Sequence, residues 1–93
     1  NTLIAINTQL TNEDIIFLKN ISEINIRNCY SITDLSPLNN IKKLDIRGCR
    51  NIFELPKTNY LEFLTISSSL FYTSPINVQI ENIGCKLCID YFQ

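Results

Sequence analysis

Apolar residues recur along this chain with a period of twenty. One stretch opens Ile21, Ile24, Ile26, Cys29 and continues Ile32, Leu35, Leu38. The next opens Ile41, Leu44, Ile46, Cys49 and continues Ile52, Leu55. A third opens Leu61, Leu64, Ile66, Ser69, and a more degenerate first stretch carries Ile4, Ile6, Gln9, Ile15 and Leu18. If the fourth stretch is nineteen residues long, the last opens at Ile80 and reads Ile80, Ile83, Cys85, Cys88. The repeats predicted are therefore 1–20, 21–40, 41–60, 61–79 and 80–93, within one domain. Self-similarity at a fixed short period marks an array in which each unit buries its apolar side against its neighbours.

Inside a repeat, apolar positions four and six alternate with polar positions five and seven, as in Ile24, Asn25, Ile26, Arg27. That is the period of a half-buried strand, and β-branched isoleucine suits it. Equivalent strands twenty residues apart must run parallel, with the rest of each repeat as the crossover. Five parallel strands are predicted near 3–7, 23–27, 43–47, 63–67 and 82–86, with Ile24, Ile26, Leu44, Ile46, Leu64 and Ile66 inside. The returns are too short for a long helix between two loops, and Pro37 and Pro56 interrupt helical turns. Irregular, 3₁₀ or one- to two-turn segments are expected there. Asn12, Glu13 and Asp14 ahead of Ile15–Leu18 give the best helix-start signal.

The spacing resembles the leucine-rich repeat, L-x-x-L-x-L-x-x-N/C-x-L. The clearest matches are Ile21–Cys29 and Ile41–Cys49, and the resemblance covers essentially the whole chain. Ser31–Leu38 is similar to the convex half of internalin-type repeats, and Asn51–Pro56 to the Leu-Pro-containing repeats of bacterial effectors. The resemblance implies an α/β solenoid, a fragment of a right-handed horseshoe. About five parallel strands would line its concave face, with short 3₁₀, helical or irregular convex returns. It also implies that the ninth position, here Cys29, Cys49, Ser69 and Cys88, bonds neighbouring turns. On that basis Cys49→Ser is expected to be mild, and Gln9 to mark a distorted first repeat.

Composition narrows the function. The chain has 93 residues, with 8 basic and 9 acidic side chains and a net charge of −1. A single domain with so even a balance fits neither a nucleic-acid binder nor a polybasic membrane anchor. No apolar run approaches the ~18 residues of a membrane span. Histidine is absent, which removes Ser-His and Cys-His nucleophiles, imidazole bases and histidine metal ligands. Glu13, Asp14, Asp34, Glu54 and Asp90 have no evident catalytic partner. No enzyme activity, cofactor or metal is expected.

The four cysteines admit three readings. A structural zinc site needs four ligands, and Cys85-x-x-Cys88 offers two. Cys85 and Cys88 on an extended segment would stand ~10 Å apart, too far to bridge. Cys29 and Cys49 on adjacent strands would be ~5 Å apart, a disulfide distance, but with side chains parallel rather than facing. Four inward, reduced thiols are the reading preferred, which points to an intracellular, cytoplasmic setting (the host cytoplasm if the protein serves a pathogen). The sequon at Asn20 has Ile21, a core position, at its centre and is discounted.

The outward strand positions supply the candidate site. Position three holds Leu3, Glu23, Lys43, Phe63 and Asn82. Position five holds Ala5, Asn25, Asp45, Thr65 and Gly84. Position seven holds Asn7, Arg27, Arg47, Ser67 and Lys86. Arg27 and Arg47, side by side, could grip a carboxylate-rich partner, with Asp45 as local neutraliser. Phe63 next to Lys43 is an exposed aromatic of the kind that anchors interfaces. Glu23 and Lys43 would pair across strands, and one of Phe71 and Tyr72 would fill the core. The partner-binding set is thus Arg27, Arg47, Lys43, Asp45, Phe63, Glu23 and Asn25. Lying outside the core, the two arginines should be replaceable without loss of stability. The function expected is a protein–protein interaction module using the concave or lateral face. The alternative is a substrate-recognition segment of a larger protein, such as a ubiquitin-ligase adaptor or a pathogen effector. Unpaired solenoid ends would favour self-association.

Overall fold

Residues 2–6, 9–58, 60–73 and 76–91 are described by the computed structural model. The elements are β1 (Thr2–Ile4), α1 (Asn12–Ile16), β2 (Glu23–Asn25), β3 (Lys43–Asp45), β4 (Phe63–Ser67), α2 (Ser68–Thr73), α3 (Ile76–Ile83) and β5 (Lys86–Asp90). The five strands form one sheet in chain order, every neighbouring pair parallel. All six strand positions predicted as core are buried. The return segments complete that core with Ile32, Leu35, Leu38, Ile52 and Leu55.

Pairing fixes the true period. Glu23 lies opposite Lys43, and Lys43 opposite Phe63, so the central steps are twenty residues. Phe63, however, lies opposite Lys86. The last strand is therefore Lys86–Asp90 and not 82–86, and the fourth unit is longer than twenty residues rather than shorter. The extra length is spent on two consecutive helices, α2 and α3, whose Leu70, Ile76 and Ile80 are buried in the shared core. That return is more helical than the one- to two-turn expectation, while the two central returns are irregular.

The first strand is also displaced. Leu3 faces Ile24 across the sheet, so Leu3 and Ala5 pack on the core while Ile4 and Ile6 point away, 66% and 44% exposed. The prediction of Ile4 and Ile6 as inward residues is corrected. Asn7, assigned to position seven, lies outside the described residues. The helix start is where the polar run placed it: the Thr11 N–H donates to the Asp14 carboxylate at 2.9 Å, which occupies an amide at the open helix N-terminus.

A second ladder runs along the returns. Phe53 N–H donates to the Thr33 carbonyl at 2.9 Å and Leu35 N–H to the Glu54 carbonyl at 3.0 Å, around a parallel bridge between Asp34 and Glu54. Side-chain amides extend the ladder on both sides. Asn12 Oδ1 accepts from the N–H groups of Thr33 (3.0 Å) and Asp34 (3.2 Å). Gln79 Oε1 accepts from Leu55 N–H at 2.8 Å, and its Nε2 donates to the Phe53 carbonyl at 2.9 Å. Backbone groups that no further turn could satisfy are thereby paired.

Candidate functional site

After β2 and β3 the chain reverses through left-handed residues at equivalent places, Asn28 (φ 59°) and Gly48 (φ 76°). Asparagine and glycine are the residues that reach this region at least cost. The next residue in each unit, Cys29 and Cys49, turns inward and is fully buried. Cys29 N–H donates to Cys49 Sγ at 3.4 Å, the Cys49 thiol donates to the Ile26 carbonyl, and the Cys29 thiol to the Ala5 carbonyl at 3.2 Å. Burial pushes the Cys49 thiol up to about 12, because the thiolate would lose hydration without gaining a cation.

This bonding stops after two cysteines. Ser69 lies exposed on α2, Cys88 is exposed on β5, and Cys85 is half-buried ahead of it. The expectation of four inward thiols is corrected to two, because the longer fourth unit moves Cys88 to position five and Cys85 to position two. The mildness expected of Cys49→Ser loses its basis, since Ser69 is not the equivalent residue. Ser67 instead takes the next bond, its Oγ accepting from Gly48 N–H at 3.3 Å. All four cysteines are free thiols. A thiol reagent at mildly alkaline pH should modify Cys88 within the dead time and Cys85 more slowly, since burial raises the Cys85 pKa. Cys29 and Cys49 should react only on unfolding, and mass spectrometry that finds them labelled in the native protein would refute this packing.

The outer face of the sheet is ordered in rows. Position three reads Thr2, Glu23, Lys43, Phe63, Lys86, and position five reads Ile4, Asn25, Asp45, Thr65, Cys88. Ser67 and Asp90 face each other in the row that carries Arg47. Lys86 therefore belongs to position three and not seven. Asn82 and Gly84, assigned to positions three and five, precede the strand, Asn82 within α3. Glu23, Asn25, Lys43, Asp45, Phe63 and Thr65 line one open groove of about 260 Å³.

Two sets of side chains occupy this face. Arg47 is committed to its own chain. Its Nη2 donates to Asp45 Oδ2 at 2.7 Å, its Nε to Asp45 Oδ1 at 3.0 Å, and its Nη1 to Asp90 Oδ2 at 3.4 Å. The Asp45 hydrogen bond is the main reason its pKa is raised. The predicted Arg27–Arg47 clamp is thus not assembled, because Asp45 and Asp90 already occupy one of its members. Arg27 Nε and Asn25 Oδ1 are buried without hydrogen-bond partners among the described residues.

Phe63 is the other centre, 42% exposed. Lys43 Nζ stands 5.5 Å and Lys86 Nζ 5.6 Å from its ring centroid, the distance of a cation–π contact. Among the described residues the ion pairs are those of Arg47, so the predicted Glu23–Lys43 pair is not formed. Glu23 instead accepts from Thr2 Oγ1 at 3.4 Å. Of Phe71 and Tyr72, Phe71 packs against the core and Tyr72 stands exposed, their rings edge-to-face at 5.1 Å.

Among the described residues no group of three or more Cys, Asp or Glu is placed to hold a metal ion, and no helix is long and apolar enough to cross a membrane. Comparison with protein families, with curated proteins and with solved structures gives no match.

Proposed function

We propose that the chain is a leucine-rich-repeat-type solenoid segment acting as a protein-interaction module, and that its concave face is the outer face of the five-stranded sheet. Chain-order parallel strands with central twenty-residue steps, and cysteines bonding one turn to the next, support the repeat reading. The setting proposed is a reducing one, because the Cys29 and Cys49 thiols serve as donors, a role that a disulfide would end.

The observation that carries the functional reading is Phe63. A large aromatic is held exposed on β4, an inner strand of the sheet, in a groove where Glu23, Asn25, Lys43, Asp45 and Thr65 stand beside it. Rigid groups lose little freedom on binding, and an aromatic ringed by polar side chains has the composition of an interface anchor. The test is capture of a partner by cross-linking, followed by affinity measurement. Phe63→Ala is expected to weaken the complex by about tenfold or more while leaving the unfolding midpoint in place. Phe17→Ala, which truncates an 87% exposed side chain outside the sheet, should leave binding unchanged. Equal binding by wild type and Phe63→Ala would remove the sheet face from consideration.

A further inference from the structure

We propose that the Lys43–Phe63–Lys86 row is a recognition site for an acidic peptide segment, with a carboxylate side chain lying over the exposed edge of Phe63 between the two ammonium groups. This deepens, and rests on, the reading of the sheet face as an interaction surface. Lys43 is on β3 and Lys86 on β5, and register places both directly opposite Phe63 on β4. Each ammonium is drawn to the one ring, at 5.5 and 5.6 Å from its centroid. Two like charges are so gathered around a single aromatic, and among the described residues neither forms an ion pair. They repel each other across less than a couple of Debye lengths, and an anion at the positive edge of the ring, between them, relieves that repulsion while attracting both.

The carboxylates nearby do not serve that purpose. Asp45 and Asp90 are bound to Arg47, at 2.7 and 3.4 Å. Glu23 lies at the far side of Lys43 and accepts from Thr2. The cation pair sequence reasoning sought in Arg27 and Arg47 is thus realised two rows away, in residues that form no ion pair among the described residues. The occupant argued for is a peptide rather than a nucleic acid. Glu23 and Asp45 line the groove beside Lys43 and Phe63 and would oppose phosphates fixed along a nucleic-acid backbone, whereas a peptide can bring one or two carboxylates to the lysines while its other side chains turn to solvent.

The test is a titration of isotope-labelled protein with a hexaglutamate peptide at low ionic strength, followed by NMR. Hexalysine and an oligothymidine single strand are run alongside. Saturable shifts centred on the Phe63 ring and the Lys43 and Lys86 side chains are expected with hexaglutamate and not with hexalysine. The affinity should fall with added salt, and by about tenfold or more in Lys43→Glu/Lys86→Glu. Lys43→Gln/Lys86→Gln serves where charge reversal disturbs the fold, and should show a smaller loss in the same direction. The proposal is overturned by an absence of saturable shifts, by binding that survives both double variants, or by tighter binding of the oligothymidine. Failure with hexaglutamate alongside loss of the captured partner in Phe63→Ala would discard the acidic peptide and keep the interaction surface.

Discussion

Ile46→Ala should lower the unfolding free energy by about 2–4 kcal/mol. Ile46 is fully buried, and so are Ile26 and Ile66, its counterparts in the strands on either side. Its own N–H donates to the Thr65 carbonyl at 2.9 Å and the Ile26 N–H to the Asp45 carbonyl at 3.0 Å, so the backbone around the site is tied to both neighbours and has little room to close over a void. Truncation therefore loses the transfer free energy of the removed carbons and leaves a cavity as well. In a denaturant titration the midpoint should drop with the slope unchanged. Ile4→Ala provides the contrast. The same chemical change at a 66% exposed position should stay within about 0.5 kcal/mol. Equal losses at the two sites would contradict the register of β1 and the location of the core.

Arg47→Glu should destabilise the protein by about 1–3 kcal/mol, between the small value of an exposed ion pair and the larger one of a buried pair that is broken. The Arg47 side chain is 26% exposed, and the side chains of Asp45 and Asp90 are each 17% exposed. Reversal would set three carboxylates together and release the tie that reaches from β3 across β4 to Asp90. Arg27→Glu, which breaks no ion pair among the described residues, should show less than half that loss, and added salt should narrow the gap. A double-mutant cycle of Arg47→Gln with Asp90→Asn measures the β3–β5 part alone. A coupling indistinguishable from zero would show that Asp90 is only a bystander. The ion pairs of Arg47 thus argue against thermodynamic silence at this position, because a residue outside the core can still join strands.

The contrast between the centre and the ends of the chain shows what sequence alone can reveal. Residues 21–58 were legible because apolar side chains there sit at identical spacings and the inward and outward sides never exchange. At the amino end, Leu3 and Ala5 face in and the bulkier Ile4 and Ile6 face out. Hydrophobicity therefore pointed to the wrong face, and in a strand a one-residue error inverts every side chain. At the carboxyl end the choice of Ile80 as a strand opener was overruled by helix α3, which uses Ile76 and Ile80 at the i, i+4 spacing of a helical face. The signal that would have corrected it is present. Lys86-Leu87-Cys88-Ile89-Asp90 repeats the alternation of Lys43-Leu44-Asp45-Ile46-Arg47, including the initial lysine. Read that way, it also predicts Lys86 beside Phe63. Phe63 itself was visible as an outward aromatic. The capture of Arg47 by Asp90 was not, since it depends on the length of a helical insertion.

Gln79 couples amide-proton exchange to a remote helix. Its side chain reaches from α3 to the N–H of Leu55, a residue 24 positions earlier in the chain. Leu55 N–H therefore has an acceptor only while α3 is docked, although Leu55 itself sits in the interior. Each undocking of α3 exposes that one proton without opening any strand. Its exchange rate consequently counts the helix's departures, whereas the amides of Ile26 and Ile46, bonded strand to strand, count openings of the sheet. Deuterium uptake at Leu55 in advance of Ile46 would mean that the longest return comes away as a unit of its own, leaving the parallel strands behind it intact.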